Sequence, residues 1–130
     1  MGEIMDVLLL KIPVPPSNNR FVRTMTSKKT GKPVFYTPAD VKTYRQQVIS
    51  EYFRQGKGIR FGTLDVVIDI TAYLSVMTRD VDNIPKEIFD SLKMAGVFKD
   101  DRQIVEFSCR KIRAKDAGTD PHCFIVVKRA

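Results

Sequence analysis

The sequence predicts a mixed α/β fold: a single domain with one mixed β-sheet and about two main helices. The chain has 130 residues, of which 43% are apolar, and this length supports one hydrophobic core. Two segments carry apolar residues at helical spacing, and four others are rich in β-branched residues. Their order is strand, helix, strand, helix, strand, strand, which is typical of helices packed on one sheet.

The N-terminal third predicts a strand, a structured loop and a helix. Residues 4–13 form an apolar run that ends at Pro13, and "PVPPSNNR" then leaves the strand as a loop. Residues 24–36 have little periodicity and predict a loop or loose hairpin. We expect Thr37 to cap a helix with Pro38 at its first position. Its apolar stripe runs to about Phe53 through Val41, Tyr44, Val48 and Tyr52.

The remainder predicts a second strand, a second helix and two further strands. Residues 64–75 form the strand, and Asp82 or Asn83 is expected to cap the helix, which ends at Gly96. The buried face of this helix is predicted at Ile84, Ile88, Leu92 and Ala95. Strands are expected at 103–113 and 123–129, joined by the polar loop "AKDAGTDPH". Because no repeat or linker interrupts this order, we assign residues 1–130 to one domain.

Charge and composition favour a protein that binds a polyanion inside the cell. The formal net charge is +7 and the pI is near 9.6, with basic residues concentrated towards both ends of the chain and acidic residues between them. No apolar run is long enough for a membrane span, and the N-terminus lacks the pattern of a signal peptide, so we expect a cytosolic protein. Cys109 and Cys123 lack metal-ligand spacing and are expected to be buried free thiols.

Acidic residues cluster in the middle of this basic chain, in residues 77–101. Asp80 and Asp82 are two residues apart, so their side chains would leave the same face if the chain is extended there. Two carboxylates about 4 Å apart repel by roughly 4 kcal/mol at an effective dielectric of 20. A divalent cation would offset this cost, and oxygen ligands favour Mg²⁺ or Mn²⁺.

A second acidic pair, Asp100 and Asp101, follows the second predicted helix. If the chain returns there beside the point it left, one of the two can join the first carboxylates, and the spacing leaves open which one. Lys86, one turn after Asp82, could reach the same site. Structural explanations also remain open: Asp82 as a helix cap, Asp100 and Asp101 as turn residues, and Lys86 paired with Asp90.

Three ordered motifs resemble the RusA family of Holliday-junction resolvases: "PVPPSNNR", "RDVDNIPK" and "DDRQIVE". The resemblance spans nearly the whole chain. It implies a homodimeric endonuclease of bacteria and their prophages that requires Mg²⁺, with Mn²⁺ as a substitute, and cuts four-way DNA by paired nicks. It also implies metal binding by Asp80, Asp82 and Asp101 and an essential role for Lys86.

The resemblance also implies DNA contacts in the N-terminal region. Arg79, Asn18 and Asn19 match motif positions near the DNA or the site, and the early basic cluster adds Arg20, Arg23, Lys28 and Lys29. Two other functions remain open from the sequence. The chain could be a DNA-binding protein without catalysis, or a metal-dependent nuclease that acts on flaps or RNA.

Overall fold

The chain folds around a four-stranded mixed sheet with two helices packed on one face, which confirms the predicted fold class. The computed structural model describes residues 7–16, 23–26, 31–36 and 39–130. Its strands and helices share one hydrophobic core. In chain order the elements are β1 (Val7–Ile12), β2 (Arg23–Thr26), β3 (Pro33–Tyr36), α1 (Ala39–Gln55), β4 (Val66–Leu74), α2 (Asn83–Ala95), a 3₁₀ turn (Asp101–Gln103), β5 (Ile104–Arg113), α3 (Ala114–Ala117) and β6 (His122–Arg129).

The order of the strands in the main sheet is β1-β6-β4-β5. β6 pairs antiparallel with both β1 and β4, whereas β4 and β5 are parallel and are connected through α2. β5 therefore lies at one edge of the sheet, and α2 runs in the opposite direction to the two strands that it joins. β2 and β3 form a separate antiparallel hairpin, so the hairpin alternative predicted for residues 24–36 is confirmed.

α1 buries the whole stripe that periodicity predicted, with Val41, Tyr44, Val48 and Tyr52 at most 3% exposed. The two tyrosines also satisfy their hydroxyl groups: Tyr44 donates to the carbonyl oxygen of Pro13 at 2.8 Å and Tyr52 to that of Ile59 at 2.7 Å. Phe53 is 67% exposed, so the stripe ends at Tyr52. The predicted cap at Thr37 and Pro38 lies outside the described residues.

α2 also follows its predicted pattern, since Ile84, Ile88, Leu92 and Ala95 are all buried. Gly96 ends the helix in a left-handed conformation at φ 85°, which glycine adopts without steric cost. The two helices are joined by an ion pair in which Arg45 of α1 donates to both oxygens of Glu87, at 2.7 and 3.1 Å. Glu87 is fully buried, so this pair sets how α2 lies against α1.

Two short elements were not predicted: α3, within the expected polar loop, and the 3₁₀ turn before β5. Gln103 anchors that turn by donating to the carbonyl oxygens of Gly62 and Leu64 at 2.8 and 2.7 Å. Both cysteines are free as expected; Cys123 is buried and Cys109 half-buried. Within the described ranges, no helix is both long enough and apolar enough to cross a membrane.

Candidate active site

Asp80 and Asp82 follow β4 as predicted, but the backbone turns between them instead of staying extended. The N–H groups of Asn83 and Ile84 point back to the carbonyl oxygens of Asp80 and Val81, each at 3.4 Å, and Asp82 has helical angles of φ −73° and ψ −18°. The side chains of Asp80 and Asp82 were predicted to share one face only if the backbone is extended there, and this condition is not met. Asp80 lines a cavity of about 570 Å³, and Asp82 lines a different one of about 360 Å³.

Asp82 and Lys86 are exposed near the start of α2 and line the same cavity. Asp82 stands at the N-cap position, yet its side chain makes no capping hydrogen bond, so the interpretation of Asp82 as a helix cap is not supported. The proposed pairing of Lys86 with Asp90 is not supported either, because Asp90 lies 3.7 Å from Arg45. Both side chains are thus placed to meet a ligand.

The two carboxylates of the second acidic pair, Asp100 and Asp101, differ in their contacts: the first caps a turn and the second is open to solvent. Asp100 accepts hydrogen bonds from the backbone N–H and guanidinium of Arg102, at 2.9 and 3.1 Å, and Gln103 completes a capping box. These bonds lower the pKa of Asp100. Asp101 is 49% exposed and lies 3.6 Å from the ammonium of Lys93. Asp101, the residue implied by the family resemblance, is therefore the better placed of the two for ligand binding.

The single chain separates Asp101 from the first two carboxylates. Asp82 precedes the first turn of α2, whereas Asp101 contacts Lys93 in its last turn. The eleven residues from Asp82 to Lys93 correspond to about 16 Å of helix rise. In the part of the chain that the structure describes, no three acidic, histidine or cysteine side chains converge into a metal centre. Because β4 and β5 are parallel, the expectation that the chain returns beside its starting point does not hold in this structure.

Asp82 and Asp101 instead lie on one groove between α2 and the edge strand β5. The floor of this groove is apolar: the rings of Phe89 and Phe107 meet edge to face, 5.2 Å apart at 80°. Phe107 is nevertheless 52% exposed. The lining residues are Val81, Asp82, Pro85, Lys86, Phe89, Asp101, Phe107 and Cys109.

Two cationic side chains fix the backbone that carries Asp80. Arg79 donates to the carbonyl oxygens of Pro15 and Pro16, the latter at 2.8 Å, and so ties the loop after β1 to this segment. Lys111 of β5 donates from its Nζ to the carbonyl oxygens of Met77 and Arg79, at 3.0 and 2.7 Å. Lys111 was not predicted, because nothing in the local sequence distinguishes it from the other basic residues of its strand.

The remaining predicted DNA contacts lie largely outside the described residues. This is the case for Asn18, Asn19, Arg20, Lys28 and Lys29, while Arg23 begins β2. Arg79 is half-buried, and burial lowers the pKa of its guanidinium. Its hydrogen bonds make it a link between two loops, in addition to the DNA contact implied by the resemblance.

The donor set suits a hard divalent cation. The candidate ligands Asp80, Asp82 and Asp101 offer carboxylate oxygens, and Mg²⁺ typically takes one or two carboxylates, several waters and a substrate phosphate. Cys109 is a poor competitor, because burial raises the pKa of its thiol to about 11 and keeps it protonated at neutral pH. The residues present therefore fit Mg²⁺ chemically, although the carboxylates are divided between the two ends of α2.

Fold and site together define a mixed α/β protein with exposed carboxylates and a lysine suited to chemistry on phosphate esters. The family model for endodeoxyribonuclease RusA matches residues 12–120. The crossover junction endodeoxyribonuclease RusA of Aquifex aeolicus is 35% identical over 105 residues, which are 80% of this chain and 77% of that protein. The chain belongs to the RusA family.

Other relatives extend the match over more of the chain. The crossover junction endodeoxyribonuclease RusA of Escherichia coli strain K12 is 26% identical over 121 residues, covering 88% of this chain and 90% of the relative. That of Enterobacteria phage 82 is 29% identical over 116 residues, with the same coverage of both chains. The family thus includes both bacterial and phage proteins.

Proposed function

We propose that this protein is a crossover junction endodeoxyribonuclease that resolves Holliday junctions by paired symmetrical nicks in DNA recombination and repair. One observation carries the proposal. This chain belongs to the RusA family, and Asp82, Lys86 and Asp101 all line the groove between α2 and β5. Carboxylates that can hold a cation, together with a lysine that can meet a phosphate oxygen, are the groups that phosphodiester hydrolysis requires.

We assign Asp80, Asp82 and Asp101 as ligands of Mg²⁺, with Mn²⁺ as a substitute. The bound cation would neutralise phosphate charge and activate water for in-line attack at phosphorus. Lys86 would donate a hydrogen bond to a phosphate oxygen or to the leaving oxygen, where negative charge increases in the transition state. Arg79 and Lys111 would act on the chemistry indirectly, through the backbone on which Asp80 is mounted.

We further propose that the protein acts as a homodimer on four-way DNA in the bacterial cytosol, from a host or prophage gene. A four-way junction has near two-fold symmetry, so a two-fold dimer presents two sites to two strands of like polarity. The net charge of +7 would draw the protein to phosphate, and Asn18, Asn19 and the early basic residues would contact the DNA.

The test is cleavage of a synthetic mobile four-way junction in Mg²⁺, beside linear duplex and flap controls. We expect symmetrical nicks confined to the junction, and we expect Asp82→Asn and Asp101→Asn to bind the junction without cutting it. Asp100→Asn is the matched control, because asparagine also caps helices well and Asp100 is occupied by its capping bonds. Junction binding without cleavage in any divalent cation would refute the enzyme, and preferred cleavage of flaps would refute the substrate.

A further inference from the structure

The open sheet face, which is the face of the main sheet turned away from α1 and α2, carries aromatic side chains on its two central strands, β6 and β4. Phe124 of β6 is 37% exposed, and Leu9 of the neighbouring β1 is 52% exposed. The rings of Tyr73 and His122, which are paired across β4 and β6, stack on each other at 4.7 Å and 25°. Within the described ranges, this face therefore presents flat apolar groups to solvent.

Polar side chains beside these rings are paired with one another. Asp69 accepts hydrogen bonds from the hydroxyl of Ser108 and from Arg110, the latter at 2.9 Å. Arg110 also donates to the hydroxyl of Thr71 at 2.7 Å. The Arg110 guanidinium thus neutralises the carboxylate on this part of the face, and Asp69 would not repel an anionic ligand bound next to it.

Positive charge borders the aromatic side chains along β1 and β6. Lys11 lies directly across from Phe124, and Lys128 follows Phe124 on the same face of β6. Neither lysine forms a salt bridge with another described residue. Glu106, the other carboxylate of this face, lies on the edge strand β5, two strands away from Lys128. The open sheet face is therefore complementary to a phosphate backbone beside its rings.

The spacing of the rings favours a strand whose bases are unpaired. His122 and Phe124 are two residues apart on β6, a rise of about 6.8 Å. That is about twice the 3.4 Å rise per nucleotide of a stacked strand. Successive bases can stack on these rings only when they are not stacked on each other, a condition that a duplex does not meet. Exposed rings on a four-stranded sheet are a known platform for such bases.

We propose that the open sheet face binds single-stranded nucleic acid. One base stacks on Phe124 and another on the Tyr73 and His122 pair, while Lys11 and Lys128 contact phosphates. Beyond Lys11 and His122 the surface continues into a cavity of about 530 Å³, which is a common size for a ligand pocket. The groove between α2 and β5 lies on the helix side of the sheet, so this inference does not rest on the proposed function.

Fluorescence anisotropy with labelled single strands of about 12 nucleotides tests this site. Oligo(dU) and oligo(U), which differ only in the 2′-OH, are measured in parallel, with EDTA present to prevent metal-dependent cleavage. The tighter of the two identifies DNA or RNA as the ligand. We expect Phe124→Ala to weaken binding roughly 5- to 150-fold, the loss that alanine causes where a base stacks on an aromatic ring. Phe124→Tyr should retain the affinity, whereas Phe124→Leu, which is apolar but has no π face, should lose it.

Matched controls come from the helix side of the sheet. Phe53 of α1 is 67% exposed, and Phe53→Ala should leave the affinity unchanged. Lys11→Met and Lys128→Met should each lower the slope of log affinity against log salt by about 0.7, the value for one phosphate contact on a single strand. Lys42→Met, which removes an exposed lysine of α1, should leave that slope unchanged.

Three results would overturn the proposal. The first is a wild-type protein that binds neither oligonucleotide. The second is full affinity in Phe124→Ala or Phe124→Leu, because the bases then do not stack on this ring. The third is a Phe124→Ala protein that sediments differently from the wild type while binding the oligonucleotides equally well, which would make the open sheet face a contact between protein chains.

Discussion

Replacing Lys111 with methionine should impair cleavage without preventing junction binding. The ammonium of Lys111 donates to the carbonyl oxygens of Met77 and Arg79, at 3.0 and 2.7 Å, and the second of these belongs to the peptide that joins Arg79 to Asp80. Hydrogen bonds to charged groups contribute about 1.5–3 kcal/mol each. Because Lys111 is half-buried, we take the lower end of that range, which gives about 3 kcal/mol for the pair.

The loss should be larger in catalysis than in binding. A displacement of about 1 Å at a reacting centre can cost about 10²-fold in rate, and methionine leaves the segment before Asp80 without its anchor. We therefore expect about 10²-fold slower cleavage of a four-way junction, a higher Mg²⁺ concentration for half-maximal rate, and an unchanged dissociation constant for the junction. Lys111→Arg should restore part of the rate, since a guanidinium can donate to both carbonyl oxygens.

The neighbouring Arg110 provides the control. It pairs with Asp69 at 2.9 Å on the exposed side of the same strand, where ion pairs contribute only about 0.2–1 kcal/mol. Arg110→Met should thus leave the Mg²⁺ dependence unchanged. If Lys111→Met cleaves with the same Mg²⁺ dependence as Arg110→Met, the positioning argument is wrong. If both the Mg²⁺ dependence and the rate return in full with Lys111→Gln, the charge of the ammonium is not required.

Four further predictions concern stability, thiol reactivity, the pH dependence of stability and DNA affinity. Arg45→Met should lower the free energy of unfolding in urea by about 3–5 kcal/mol, because it leaves Glu87 buried without its partner, and adding Glu87→Met should recover most of that loss; equal single and double losses would contradict this. Burial raises the pKa of Cys109 from 9.0 to about 11, so at pH 8 its thiolate fraction, and hence its rate of alkylation by iodoacetamide, should be about 100-fold lower than in the urea-unfolded chain. The same raised pKa means that the unfolded chain loses the proton first, so stability should fall as pH rises from about 9 to 11, and Cys109→Val should reduce that slope. Junction affinity should weaken by roughly 10³ to 10⁵ between 50 and 200 mM salt if about 6 to 10 phosphates are contacted, and an affinity independent of salt would argue against a DNA substrate.

The parts of the fold that depend on local pattern were predictable from the sequence. Both helices bury the stripes that their spacing predicted, and Gly96 ends α2 where its conformational freedom is needed. The 3₁₀ turn was not predicted, although the capping box of Asp100 and Gln103 is a local signal for it. The bonds that anchor Gln103 could not be predicted, because they reach carbonyl oxygens some forty residues earlier in the chain. Lys111 was missed because the backbone it holds is more than thirty residues away.

At the candidate site, residue types were easier to predict than geometry. Asp82, Lys86 and Asp101 are exposed on the groove, where a ligand can reach them. The structure also shows that Asp100 is engaged as a cap whereas Asp101 lines the groove, a distinction that the spacing alone left open. The expected shared face of Asp80 and Asp82 required extended backbone. The chain instead begins to turn towards α2 at that point, as the helical angles of Asp82 show.

The separation of Asp101 from Asp82 follows from the direction of one strand pairing. Had β5 run antiparallel to β4 beyond α2, the chain would have returned to the end of the strands that it left, and the three carboxylates would lie at that same end. β6 lies between β1 and β4, and β5 pairs parallel with β4 at the edge of the sheet; the sequence carries no local signal for that order. A parallel crossover necessarily places the residues that precede its helix and the residues that follow it at opposite ends of the two strands that it joins.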